Sequence, residues 1–127
     1  MQGSTLSAHC PSRHALELIA DKWVTLVIVM LAQNEMCRYN EMLRSIEGIS
    51  KKMLTQTLRA LESNGLITRK VYAIVPPMVE YRLTPLGQSL IPLLVAIKDW
   101  AELYWQDVET ARHDYEARLG LQDISRP

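Results

Sequence analysis

The sequence predicts a mainly helical α+β fold in a single domain of 127 residues. Two observations support this prediction. A short helical pattern, a tight turn and a second, well-capped helical pattern follow one another in the middle of the chain. Two strand-like runs joined by a proline-containing connection come next and predict a β-hairpin. Because the chain is too short for two domains of ordinary size, we expect residues 1–127 to form one domain.

Two helices are predicted in the N-terminal part of the chain. Pro11 suits the first position of a helix, with Cys10 as its N-cap. Asp21 is a suitable N-cap for a second helix, Lys22–Gln33. Periodicity leaves this second segment ambiguous, because its apolar residues repeat at helical spacing while its Val and Ile residues also suit a buried strand. The length of the segment favours a buried helix.

The middle of the chain predicts two helices separated by a tight turn. Residues 38–46 place apolar side chains at i, i+3, i+4 and i+7, and Gly48 ends that pattern. Ser50 is a good N-cap for the helix Lys51–Ser63. One side of this helix is an apolar stripe of Leu54, Leu58 and Leu61.

A hairpin and a long helix complete the predicted elements. The strand-like runs are residues 66–73 and Met78–Leu83, and Arg69 and Lys70 place positive charge on the first of them. Thr84 and Pro85 then suit the start of a helix that continues to about residue 115. We expect Pro92 to kink this helix.

The order of helix, turn, helix and hairpin is the plan of a winged helix-turn-helix, in which the second helix enters the major groove of DNA. On its polar side Gln56 suits an adenine edge, and Thr55 offers a hydroxyl and a methyl group. Arg59 suits a guanine edge, with a phosphate or a pair with Glu62 as alternatives. A solvated amphipathic helix would show a similar polar side, so the helix alone does not indicate DNA; its combination with the turn and the basic hairpin does. The candidate DNA contacts are Ser50, Lys51, Lys52, Thr55, Gln56, Arg59, Arg69 and Lys70.

Charge is distributed unevenly along the chain. Fourteen basic and fourteen acidic residues cancel overall. Residues 38–82 contain eight basic and four acidic residues, a net charge of +4, whereas the chain from residue 99 onward contains seven acids and three arginines, a net charge of −4. This asymmetry suggests an anionic partner for the middle of the chain, although on charge alone ordinary solvated faces are the preferred interpretation.

Several motifs occur in a fixed order between residues 10 and 100. They are CP at 10–11, DKW at 21–23, RYNEML at 38–43, GISKKMLTQTLRALE at 48–62, NGLITR at 64–69 and PPMVEYRLTPLG at 76–87. The string resembles the HxlR-type winged-helix transcriptional regulators. One departure is Tyr39, which stands where that family usually has Phe and can fill the same space.

The resemblance implies a homodimer that binds double-stranded operator DNA. It also implies that Lys22–Gln33 is helical. We expect a DNA-binding core at about residues 22–84 and dimerisation elements at about residues 10–20 and 85–119, since the terminal segments have more apolar surface than one small domain needs. A twofold dimer would present two recognition helices to two half-sites.

The two cysteines are candidate redox-sensing residues. Cys10 lies at a predicted helix start, and Arg13 and His14 follow it closely, which favours a lowered thiol pKa. Some members of the resembled family sense oxidants or electrophiles through a cysteine at this position, so the resemblance allows a switch. A reduced, unreactive Cys10 is an equal alternative. Cys37 is a candidate resolving partner, but an unreactive thiol is the preferred interpretation.

The sequence contains no signature of an enzyme, a metal site or a cofactor site. Its longest apolar run, residues 24–32, is too short for a membrane span, and no signal peptide pattern is present, so we expect a cytoplasmic protein without a membrane partner. The alternative function is a winged-helix module that binds another protein. Lys51, Lys52 and Arg59 favour DNA, whereas the operator and any effector cannot be inferred.

Overall fold

The structure, a computed structural model, describes residues 6–124. Its elements are α1 (Pro11–Ala20), α2 (Lys22–Gln33), α3 (Tyr39–Ser45), α4 (Lys51–Ser63), β1 (Ile67–Tyr72), β2 (Met78–Leu83), α5 (Pro85–Gln88) and α6 (Ile91–Ile124). The predicted mainly helical winged helix-turn-helix is confirmed. The chain divides into two units, Met1–Ile91 and Pro92–Pro127.

Helix α2 is the central helix of the first unit and resolves the ambiguity of its sequence. The Asp21 carboxylate accepts hydrogen bonds from the N–H groups of Trp23 and Val24, at 2.9 and 3.1 Å, and so caps the helix as predicted. The side chains that α2 buries are those of Val24, Val27, Ile28 and Leu31. These residues form one helical face, which explains why β-branched residues occur here without forming a strand.

The turn between α3 and α4 has the predicted glycine and cap. Gly48 has a φ of +86°, a left-handed conformation that favours glycine. Ser50 follows as the N-cap of α4. Helix α4 then buries the predicted leucines, together with Thr57, whose burial the sequence pattern did not indicate. The helix is therefore held by one face and free to present the other.

The hairpin is antiparallel, with Ile67 opposite Leu83 and Tyr72 opposite Met78. Strand β1 is one residue shorter at each end than predicted. A backbone bridge on the other edge of β2 was not predicted: the Cys37 N–H donates to the Tyr81 carbonyl at 3.0 Å, and the Tyr81 N–H donates to the Cys37 carbonyl at 2.9 Å. This bridge joins the hairpin to the segment just before α3.

The start of α5 is fitted closely against the start of the hairpin. Thr84 caps α5 by accepting from the Gly87 N–H at 3.0 Å, and its hydroxyl donates to the Gly65 carbonyl at 2.6 Å. A Cβ atom at Gly87 would lie 2.1 Å from the Leu66 carbonyl oxygen. Only glycine permits this approach of helix and strand.

The prediction of one long helix kinked at Pro92 is wrong. Helix α5 ends at Gln88, and a separate helix, α6, begins at Ile91. A proline ring clashes with the carbonyl four residues earlier, which here is that of Gln88, and proline offers no N–H to it. Pro92 instead occupies the first turn of α6, where a helix leaves N–H groups unpaired in any case.

Helix α6 forms most of the second unit. Its large apolar side chains are exposed to a considerable degree: Leu93, Val95, Ile97, Trp100, Leu103, Tyr104, Trp105, Tyr115, Leu119 and Leu121. The rings of Trp100 and Tyr104, one turn apart, have centroids 5.7 Å from each other. Between residues 6 and 124, no helix combines the length and apolar character needed to span a membrane.

Candidate nucleic-acid interface

Helix α4 has two chemically distinct sides, as the sequence predicts. Its leucines are buried in the core of the first unit. On the other side Thr55 is half-buried, and the exposed side chains are those of Lys51, Lys52, Gln56 and Arg59. An exposed helix side that combines two lysines, an amide and a guanidinium can bind phosphates and base edges.

Ser50 has a structural role at the start of α4. Its Oγ accepts a hydrogen bond from the Met53 N–H at 3.1 Å, which satisfies one of the N–H groups that a helix start leaves unpaired. The hydroxyl hydrogen of Ser50 is left for an acceptor such as a phosphate oxygen. The structure therefore fixes Ser50 as a cap, and the predicted DNA contact is compatible with that role.

The hydroxyl group of Tyr39 links α3 to α4. It donates a hydrogen bond to the Lys51 carbonyl at 3.0 Å and lies 3.1 Å from the Thr55 Oγ1. The ring of Tyr39 was predicted to fill the space of a Phe, and the role of its hydroxyl group was not predicted. The available signal was the phenol itself, because a partly buried tyrosine hydroxyl usually finds a partner.

Arg69 and Lys70 are exposed on β1, where they pair across the hairpin with Tyr81 and Glu80. The Lys70 ammonium lies 4.9 Å from the centroid of the Tyr72 ring, a cation–π contact that orients its side chain. Both predicted hairpin cations are thus on the surface of the winged helix-turn-helix unit.

A hydrogen-bonded group inside the hairpin was missed by the sequence analysis. The Glu80 side chain is buried and accepts from the Tyr72 hydroxyl at 3.0 Å. The Arg82 guanidinium lies 3.5 Å from Glu80 and 3.2 Å from Glu35, which precedes α3. These contacts compensate for the burial of a carboxylate and tie the hairpin to the helix-turn-helix. Local periodicity gives no signal for such a long-range group.

A cleft of about 280 Å³ separates α4 from the hairpin. It brings together one predicted contact from α4, Arg59, and one from the hairpin, Arg69. The lining residues are Tyr39, Thr55, Leu58, Arg59, Glu62, Arg69 and Tyr81. Gln56 and Lys52 lie outside this cleft, on the open side of the helix. Two guanidinium groups and the Glu62 carboxylate line this cleft, so its charged side chains sum to +1, and this excess of positive charge favours an anion there.

Cys10 is the N-cap of α1, as predicted, and is a free thiol. The backbone N–H groups of Ser12 and Arg13 and the Ser12 hydroxyl lie near the Cys10 sulfur and lower the pKa of its thiol despite an opposing effect of burial, although the sulfur accepts no capping hydrogen bond of regular geometry. The side chains of Arg13 and His14, from which a lowered pKa was predicted, lie beside the Glu17 carboxylate, at 3.4 and 4.0 Å. The Cys10 side chain is only 7% exposed.

Cys37 lies in a different environment. It is a free thiol, 1% exposed, and its backbone forms the bridge to Tyr81. Burial raises the pKa of the Cys37 thiol, and the nearby Glu41 carboxylate raises it further. A buried, protonated thiol is a poor nucleophile, so this geometry favours the unreactive interpretation of Cys37.

The sequence and the structure are both similar to those of known transcriptional regulators. The chain is 39% identical over 116 residues to the HTH-type transcriptional regulator YtfH of Escherichia coli K12, covering 91% of each chain. The structure of the transcriptional regulator ytfH from Salmonella typhimurium is similar with a TM-score of 0.76 and 38% identity, over 88% of this chain and 99% of that one. The reduced form of the redox regulator HypR is similar with a TM-score of 0.74 and 36% identity, over 80% of this chain and 99% of that one. Residues 18–109 match the HxlR-like helix-turn-helix family, and the chain therefore belongs to that family.

Proposed function

We propose that this protein is a sequence-specific DNA-binding transcriptional regulator that acts in the cytoplasm as a homodimer on operator DNA. The observation that supports this most strongly is the two-sided helix α4, whose leucines are buried while its basic and amide side chains are exposed beside a basic hairpin. This is the arrangement that a helix needs in order to enter a major groove.

The proposed contacts divide into three groups. Lys51 and Lys52, in the first turn of α4, neutralise phosphates. Gln56, on the open side of the helix, contacts a base edge. Arg69 and Lys70 contact the DNA backbone from the hairpin. For Arg59 the sequence leaves a guanine edge, a phosphate and a pair with Glu62 open; because Arg59 lines the same cleft as Arg69, we assign it to a phosphate.

The homodimer is proposed from the terminal helices. In α1 no residue is buried, and Leu16 is more than half exposed. In α6, Ile97, Trp100 and Leu103 are at least half exposed. Exposed apolar and aromatic side chains on helices are typical of surfaces that a second subunit covers.

The decisive experiment selects bound fragments from random duplex DNA with the purified protein. We expect a two-half-site sequence to be enriched and its binding to weaken steeply with salt, because bound lysines and arginines release counterions. Gln56→Ala is expected to change the selected sequence. Gln33→Ala removes an exposed amide from α2, outside the proposed DNA contacts and dimerisation elements, and is the matched control, with no change expected.

The alternative is a winged-helix module that binds protein instead of DNA. It predicts that the wild-type protein enriches no sequence and that any DNA binding is equally weak for all fragments. That outcome would contradict the proposed function.

A second proposal is that Cys10 makes the regulator responsive to electrophiles or oxidants. The lowered pKa of its thiol and the similarity of the chain to the redox regulator HypR support it. The first helix is also proposed to lie at the dimer interface, where an adduct would shift the two recognition helices relative to their half-sites.

Alkylation with iodoacetamide tests this second proposal. The thiolate sulfur displaces iodide and forms a carbon–sulfur bond, so the pH dependence of the rate follows the thiolate fraction, whereas the burial of each thiol limits the maximal rate. Because the Cys10 pKa is lowered and the Cys37 pKa is raised, the rate for Cys37→Ser protein should reach its half-maximum at a lower pH than the rate for Cys10→Ser protein. Alkylation of Cys10 should weaken DNA binding. Equal half-maximum pH values, or unchanged DNA affinity after alkylation, would refute the switch.

A further inference from the structure

The contact between Tyr39 and Thr55 determines how Thr55 can contact DNA. Tyr39 is the first residue of α3, and its hydroxyl reaches two groups one turn apart on α4: the Lys51 carbonyl at 3.0 Å and the Thr55 Oγ1 at 3.1 Å. Both Tyr39 and Thr55 are half-buried. Thr55 lies at the edge of the polar side of α4, where it lines the cleft together with Tyr39, and it borders the open side that carries Lys52 and Gln56.

The direction of the second hydrogen bond follows from the number of hydrogens. A carbonyl oxygen only accepts, so the bond to Lys51 uses the single hydroxyl hydrogen of Tyr39. The Tyr39 oxygen is then an acceptor in its contact with Thr55, and Thr55 must donate. Thr55 thus directs its only hydroxyl hydrogen toward Tyr39, and its oxygen has only lone pairs to offer to a further partner.

This direction has a consequence for base recognition. An oxygen that only accepts can bond to adenine N6 or cytosine N4, the amino groups in the major groove. It cannot bond to guanine O6 and N7 or to thymine O4, which are themselves acceptors. A threonine whose hydroxyl rotates freely would contact either class.

We propose that Tyr39 is a specificity-positioning residue: by accepting the Thr55 hydroxyl hydrogen, it makes Thr55 select adenine or cytosine over guanine or thymine at one operator position. The inference rests on the proposed DNA-binding function. Tyr39 itself contacts no base in this mechanism. It acts through Thr55, and it also holds the first turn of α4 through the Lys51 carbonyl.

The test selects operator sequences with wild-type protein, Thr55→Val, Tyr39→Phe and the double variant. Thr55→Val keeps the shape of the side chain without the hydroxyl, so the position where its preference disappears is the position that Thr55 contacts. There we expect wild type to favour adenine or cytosine by about three- to tenfold, the value of one net hydrogen bond. In Tyr39→Phe the freed hydroxyl can also donate outward, so this preference should fall toward one.

Two controls separate positioning from a general structural effect. Preference at the position contacted by Gln56 should persist in Tyr39→Phe, and in the Thr55→Val background Tyr39→Phe should have no further effect on base preference. Tyr72→Phe removes another hydroxyl, the one bound to Glu80 in the hairpin, and should leave the preference at the Thr55 position unchanged. Thermal unfolding confirms that each variant is folded.

The outcomes are distinguishable. If Tyr39→Phe keeps the wild-type preference at the Thr55 position, or lowers affinity for every sequence equally, the inference is overturned while the proposed function stands. If Thr55→Val changes no position although specific sequences are selected, the inference is overturned in the same way. If wild type enriches no sequence, the proposed function fails and this inference fails with it.

Discussion

Helices α4 and α6 differ in what happens to their apolar side chains. Helix α4 buries its leucines inside the first unit, and its exposed side is polar and basic. Helix α6 exposes large apolar and aromatic residues along much of its length. Helix α4 has its hydrophobic contacts within its own unit, and its exposed polar side is free to bind a partner. Helix α6 has exposed apolar surface, which a partner subunit would remove from water.

The largest expected effect is the loss of stability caused by a substitution on the buried side of α4. Leu61 is fully buried, so Leu61→Ala should lower the free energy of unfolding by about 2–5 kcal/mol, because it leaves a cavity beside packed neighbours. Chemical denaturation at two protein concentrations measures this. The loss should be the same at both, since the contact lies within one chain. A loss smaller than about 0.8 kcal/mol, the contribution of a single buried methylene group, would show that Leu61 does not hold α4 in the core.

The next largest effect is expected in α6. Ile97→Asp should weaken the dimer by about 3 kcal/mol, roughly a hundredfold in dissociation constant, because it would bury an unpaired carboxylate. Sedimentation at micromolar concentration should show a dimer for wild type and a monomer for the variant. Gln106→Asp adds the same charge elsewhere on α6 as a control. A folded wild-type monomer at this concentration would contradict the proposal that a second subunit covers the apolar surface of α6.

Substitutions on the exposed side of α4 and substitutions in the hairpin should have different effects on DNA binding. Gln56→Ala is expected to reduce discrimination at one base pair by about 1–3 kcal/mol. Arg69→Ala and Lys70→Ala should instead weaken binding to all sequences alike and reduce the salt dependence. Competition assays against operator and random DNA measure both quantities. A uniform loss in all three variants would mean that α4 does not contribute sequence recognition.

The smallest effect concerns the start of α4. Ser50→Ala should destabilise the protein by about 0.5–2 kcal/mol, because the Met53 N–H loses its acceptor. Ser45→Ala, at the last residue of α3, is the matched control, for which thermal unfolding should show a smaller change. Equal effects of the two substitutions would indicate that the cap does not stabilise α4.

Much of the fold could be predicted because its signals are local. Asp21, Ser50 and Thr84 are caps in the sequence and in the structure, and the leucine spacing of α4 gave its buried side correctly. The break at residues 89–90 was missed because the apolar repeat continues through it. Only the clash of Pro92 with the Gln88 carbonyl shows where the helix must end.

The parts of the site that escaped prediction depend on distant residues. The bridge between Cys37 and Tyr81, the group around Glu80 and the contact between Tyr39 and Thr55 join positions that are far apart in the chain or on different elements. Periodicity compares only neighbours within one element, so it contains no information about these pairs. The DNA-contact assignments stay predictions that the proposed experiments test.

The position of β1 at the edge of the hairpin has a further consequence. In the part of the chain that the structure describes, β2 pairs with β1 on one edge and with Cys37 on the other, which leaves β1 as the outer strand of the sheet. An outer strand is a template for aggregation, and charged side chains on it oppose such pairing. Arg69 and Lys70 occupy this strand. Replacing these two proposed DNA contacts with apolar residues would therefore also remove a protection against self-association, so a loss of DNA binding in such a variant has to be distinguished from aggregation.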